Sequence, residues 1–176
     1  FSVLVLGGSQ GAEVFGKIVP SAIKMLKDEG YIIEVNQQCI NRQKNSLVEF
    51  YKENNIKNNV FDFTNNILDI IASSDLAISR CGASTTAELV NTATPFIAVP
   101  YPYSMDNHQY LNAKYYESKG CCWIIEQDKF NPTNLFNLIL EIIKDKKKLE
   151  NVSENMKKNS SKDVYGKIEN SIKEFI

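Results

Sequence analysis

Short apolar runs alternate with helical stretches along most of the chain. The runs are SVLVL at 2–6, YIIEV at 31–35, NVFDF at 59–63, LAIS at 76–79, FIAVP at 96–100 and CWIIE at 122–126, and they predict six strands. Candidate helices lie between them, over about 13–28, 43–54, 66–73, 84–92, 107–119 and 132–145. Strands this apolar leave no face for water, so the expected fold is α/β: a doubly wound, mainly parallel, Rossmann-like sheet of about six strands with helices on both faces. From about 146 the chain becomes rich in Lys, Asn, Ser and Glu, with Val152, Met156, Val164, Ile168, Ile172 and Phe175 at helical spacing. One domain is expected over 1–176, an α/β core at 1–145 followed by surface helices at 146–176.

Ligands of such sheets sit beyond the carboxyl ends of the strands, which directs attention to the turns there. The first is Gly7-Gly8-Ser9-Gln10-Gly11-Ala12, between a strand and a helix. Small residues let the backbone turn sharply and bring unpaired helix N–H groups against an anion, so a phosphate site is the natural inference. Three other readings fit the same letters. G-x-S-x-G is also the nucleophile elbow of serine hydrolases, with Ser9 as nucleophile and His108, the only histidine, as base. A dinucleotide fingerprint needs glycine where Ser9 stands, although Glu34 sits where a ribose-binding acid is expected. A tight turn without a ligand is the third.

The fourth strand is followed by Arg80-Cys81-Gly82-Ala83-Ser84-Thr85-Thr86-Ala87-Glu88. Gly82 and Ala83 keep the turn small, and Ser84, Thr85 and Thr86 bring hydroxyls to a second helix start, so two helix N-termini can face one diphosphate. Glu88, a turn below Ser84 and Thr85, either reaches a diol such as ribose or complements the helix dipole as a first-turn acid. Arg80 serves the anion, orders the turn or is simply a surface charge. After the fifth strand, Asn107, His108 and Gln109 open another helix with side chains able to hydrogen-bond sugar hydroxyls, or simply solvated there.

Charge narrows the partners. Lys plus Arg total 20 against 21 for Asp plus Glu, which offers no footprint for nucleic acid or anionic lipid. Cys39, Cys81, Cys121 and Cys122 lack metal-binding spacing and read as reduced thiols. No apolar run approaches the roughly 20 residues that span a bilayer, and no acidic pair after a strand suggests a bound metal, so a soluble domain without a tightly bound cofactor is expected. Phe1 enters the first apolar run directly, which suggests a fragment of a longer polypeptide.

The segments LGGSQGA (6–12), SRCGASTTAEL (79–89), P-Y-P (100–102) and DNHQYLNA (106–113) together resemble, in order and over essentially the whole chain, the C-terminal domain of the MurG family. These are bacterial transferases of glycosyltransferase family 28 that add N-acetylglucosamine to a lipid-linked muramoyl-pentapeptide. The resemblance implies the C-terminal half of a two-domain GT-B enzyme, with UDP-N-acetylglucosamine as substrate. It implies that Gly8, Ser9 and Gln10, with Gly82, Ala83, Ser84 and Thr85, hold the diphosphate, that Glu88 binds ribose, and that Thr64 lies against uracil. His108 and Gln109 would then address the sugar, with Arg80 near the nucleotide. Sugar transfer with inversion, an acceptor site and general base in a missing N-terminal domain, lipid I as a partner through that domain, and a peripheral place on the cytoplasmic face of the inner membrane follow in the same way. A stand-alone donor-binding subunit of the dolichol-linked pathway, a two-domain sugar-nucleotide epimerase and a dinucleotide-binding module are the other readings.

Overall fold

The computed structural model describes residues 1–8 and 13–160. The strands are β1 (Ser2–Leu6), β2 (Glu34–Gln38), β3 (Lys57–Phe61), β4 (Leu76–Ser79), β5 (Phe96–Ala98) and β6 (Cys122–Ile124). The helices are α1 (Glu13–Asp28), α2 (Asn41–Glu53), α3 (Ile67–Ala72), α4 (Ala83–Asn91), α5 (His108–Ser118), α6 (Pro132–Lys144) and α7 (Lys146–Asn159). All neighbouring strands pair in parallel, in the order β3-β2-β1-β4-β5-β6. The winding therefore reverses between β1 and β4, the place where open sheets of this kind leave a crevice.

Alternation along the central strands divides the core. Val3 and Val5 of β1, with Ile78 and Ile97, pack on Phe15, Val19 and Ile23 of α1 and on Leu135 and Ile139 of α6. Leu4, Leu6, Ala77, Phe96 and Ala98 belong to the opposite layer, with Leu89 of α4, Ala113 of α5 and Met156 of α7. β4 and β5 are buried at every position, as a sheet covered on both faces requires.

Two strands lie elsewhere than their apolar runs suggest. β2 begins at Glu34 because Ser2 of β1 sets its register, and it continues through Asn36, Gln37 and Gln38. Ile32 stays outside it, 90% exposed. Gln37 lies inside, where its Oε1 accepts a hydrogen bond from the Tyr51 hydroxyl at 2.5 Å while its Nε2 has no partner among the described residues. β3, at the sheet edge, runs over Lys57–Phe61 and leaves Asp62 and Phe63 in the following loop.

The helix beyond residue 145 is also more than a surface appendage. Val152 and Met156 are buried in the second layer, and the Ser153 hydroxyl donates to the Ala93 carbonyl after α4. The core therefore includes α7, while Val164, Ile168, Ile172 and Phe175 lie outside the described residues. Among the described residues, no helix is long and apolar enough to cross a membrane.

Candidate diphosphate and sugar site

Leu6 and Ser79, the last residues of β1 and β4, are register partners, and the Arg80 amide donates to the Leu6 carbonyl at 3.2 Å. The two glycine-bearing turns thus leave the sheet side by side at the point where the winding reverses. Gly8 adopts φ +77°, a left-handed conformation that disfavours side chains, and open space lies where its Cβ would stand. Ser9 and Gln10 lie outside the described residues.

Gly82 is the residue before α4, with extended backbone and no side chain to cap the helix. The Thr86 amide bonds the Gly82 carbonyl, which leaves the Ala83, Ser84 and Thr85 amides as first-turn donors with no partner among the described residues. Ala83 and Ser84 are exposed and Thr85 is half-buried, so these donors stand at the crevice surface. Thr86 contributes nothing outward, because its buried hydroxyl bonds the Gly82 and Ala83 carbonyls at 3.0 and 3.1 Å.

Glu88 is the sixth residue of α4, which begins at Ala83. That depth removes the first-turn and capping readings, since dipole and cap effects belong to the first turn. The half-buried side chain has no hydrogen bond or ion pair among the described residues, and it lies four residues below Ser84 on one helix face.

Arg80 is 8% exposed and faces protein. One terminal nitrogen donates to the Val99 and Pro100 carbonyls at 3.0 and 3.2 Å, the other to Gln127 Oε1 at 2.5 Å, and the guanidinium stacks between Phe15 and Tyr101. Burial pulls its pKa below the ordinary arginine value. Burial removes the surface-charge reading, and of the other two roles this geometry supports ordering: Arg80 ties the turn after β4 to the segments after β5 and β6.

The chain enters α5 through a short 3-10 turn at Met105–Asn107, with Asp106 and Asn107 both left-handed at φ 50° and 54°. Asp and Asn tolerate that region better than other side chains. His108 is exposed, and its Nδ1 lies 2.8 Å from the Met105 carbonyl. A carbonyl only accepts, so Nδ1 carries the proton and, in the neutral ring, Nε2 is an outward acceptor. A peptide carbonyl thus holds the position where a hydrolase triad needs a carboxylate, which removes the support that His108 lent to the elbow. Gln109 accepts through Oε1 from the Cys81 amide at 3.2 Å and the Tyr101 amide at 3.0 Å, so only its NH₂ group remains for a ligand.

Thr64 follows β3, and its hydroxyl accepts from the Asn66 amide at 3.2 Å. Glu34 opens β2 at the end opposite the crevice and pairs with Lys57 at 2.9 Å, so it cannot serve as the ribose acid of a dinucleotide site. Gln127 and Asn112 are contributors that sequence reasoning overlooked. The turn after β6 lies at a strand's carboxyl end like the others, a signal that was available. A cavity of about 500 Å³ flanks the site there, lined by Tyr101, Tyr103, Asn107, Tyr110, Glu126 and Asp128 among others.

A parallel doubly wound sheet, with the start of α4 at its switch point and no side chain capping it, defines the class: a Rossmann-like α/β domain. Residues 2–168 match the glycosyltransferase family 28 C-terminal domain, and the chain belongs to that family. It is 36% identical over 178 residues to the UDP-N-acetylglucosamine–N-acetylmuramyl-(pentapeptide) pyrophosphoryl-undecaprenol N-acetylglucosamine transferase of Rickettsia bellii, covering 100% of this chain and 50% of that protein. The Pelagibacter ubique protein of the same name is 36% identical over 156 residues, 89% of this chain and 44% of that one. The crystal structure of Acinetobacter baumannii MurG superposes with a TM-score of 0.81 at 25% identity, covering 90% of this chain and 45% of that chain. The chain thus spans about half the length of these relatives.

Proposed function

We propose that this chain is the donor-binding half of an inverting N-acetylglucosaminyltransferase that glycosylates a lipid-linked muramoyl-pentapeptide, turning lipid I into lipid II. The observation that carries the reading is the pair of turns emerging side by side from β1 and β4, with the α4 amides of Ala83, Ser84 and Thr85 at the switch point and without a partner among the described residues. Gly8, Ser9, Gln10 and Gly82 complete the diphosphate cradle, Glu88 takes the ribose hydroxyls, and Thr64 lies against uracil. His108 Nε2 accepts from one sugar hydroxyl, and the Gln109 NH₂ donates to another.

In the reaction, an acceptor hydroxyl oxygen bonds the anomeric carbon, inverting it, while the bond from that carbon to the diphosphate oxygen breaks. UDP leaves with the electron pair, and the hydroxyl proton passes to a base in the other half of the enzyme. Charge grows on the diphosphate, where preorganised helix N–H groups stabilise it as an oxyanion hole does. That stabilisation requires no metal bridging the phosphates. The acceptor half, the contact with lipid I and the peripheral seat at the cytoplasmic face of the inner membrane belong to the part of the relatives that this chain does not span. The chain alone binds donor without turning it over.

Titration calorimetry with UDP, UDP-N-acetylglucosamine and NAD tests the reading. Both uridine nucleotides are expected to bind, with and without EDTA, and Glu88→Ala is expected to weaken UDP by about 1–3 kcal/mol. A preference for NAD would sink the proposal.

A further inference from the structure

The turn that presents α4 has little of its own to hold it. Gly82 has no side chain, and among the described residues nothing lies within 4 Å of where its Cβ would be. Besides Arg80, what grips the turn comes from α5. Gln109 Oε1 accepts from the Cys81 amide at 3.2 Å, and Asn112 Nδ2 donates to the Cys81 carbonyl at 3.0 Å. Gln109 and Asn112 are three residues apart and share a helix face, so one face holds the amide and carbonyl groups of a single residue. The same Gln109 oxygen accepts from the Tyr101 amide at 3.0 Å, joining the loop after β5 to the junction. Two N–H donors converge on this atom, so it is the side-chain oxygen; the flipped amide would set donor against donor.

We propose that Gln109 is a positioning residue for the diphosphate turn, acting with Asn112 through Cys81, in addition to the contact with sugar that its free NH₂ group provides. The inference rests on the nucleotide-binding role proposed above. A Gln109 confined to sugar recognition would matter only to ligands that carry a sugar. A Gln109 that holds the turn matters to UDP itself, although no atom of UDP need touch it. The registration of the β4–α4 turn and the start of α5 then becomes a single property, set by one helix face.

Gln109→Met keeps the length of the side chain and removes the acceptor. It is expected to lower UDP affinity by about tenfold, the loss of roughly one hydrogen-bond junction, and to speed amide exchange at Cys81 and Tyr101 relative to the rest of the domain. Gln109→Glu restores an acceptor oxygen and preserves the fold should the methionine variant fail to assemble. In it, the Cys81 and Tyr101 amide resonances, 20 residues apart, are expected to move together in an NMR pH titration, following one carboxylate pKa. Wild-type UDP affinity in Gln109→Met, or amide resonances at Cys81 and Tyr101 that ignore the introduced carboxylate, would overturn the proposal. Failure of the wild-type chain to bind UDP would count instead against the transferase reading, and the exchange and titration results would still decide whether Gln109 holds the turn.

Discussion

Arg80 shows how much the role of a residue depends on where its atoms end. A guanidinium beside a phosphate turn suggests an anion ligand, yet here it is buried against two carbonyls, Gln127 and two aromatic rings. Arg80→Met would strip donors from the Val99 and Pro100 carbonyls, and urea unfolding is expected to report a loss of about 2–4 kcal/mol. Lysine would not rescue it, because a point charge cannot replace a planar fork. The neighbouring Cys81 is fully buried, and burial pushes its thiol from 9.0 up to about 12 against the opposing pull of Arg80. A raised acid resists ionising in the folded state, so its contribution is complete below the unfolded value and is lost as pH climbs from about 9 towards about 12. Over that window Cys81→Ala is expected to flatten the alkaline fall in stability by roughly 1 kcal/mol per pH unit, measured by denaturation at stepped pH. The change in assignment at Glu88 is of the same kind: its letter suggested either a cap or a ribose ligand, and its depth in α4 removed the cap.

At the scale of elements, the helices were legible and the strand ends were not. Helix boundaries follow from periodicity that each segment carries within itself, as in α1 and α6. A strand's limits depend on its partner. β2 runs into Asn36-Gln37-Gln38 because β1 and β3 offer ladder partners there, and the apolar Ile32 is left exposed because they do not. The end of α4 carries a local misfit of another sort. Ala93 follows the C-cap residue Thr92 with φ 55°, a left-handed position that glycine adopts more readily. Ala93→Gly is expected to raise stability by about 0.5–1 kcal/mol in thermal or urea unfolding, without touching the site. No change would mean that the packing lost with the methyl group cancels the relief of strain.

For the whole molecule, the order β3-β2-β1-β4-β5-β6 is what turns separate motifs into one site. The glycine turn and the Arg80–Glu88 segment stand some 70 positions apart in the chain, and only the pairing of β1 with β4 sets them side by side. The sequence by itself determined the α/β class, the alternation of elements, the two small-residue turns and the family, because hydrophobic period, glycine placement and motif order are written locally. Tertiary structure decided what those local signals cannot encode. Glu34 falls at the wrong end of its strand, the His108 proton is held by a peptide carbonyl, Arg80 supports the turn from within, and Gln109 has its side-chain oxygen bound by two amides. Each of these depends on which atoms from distant segments arrive together, and hydrogen-bonding capacity is assigned only once the partners are in place.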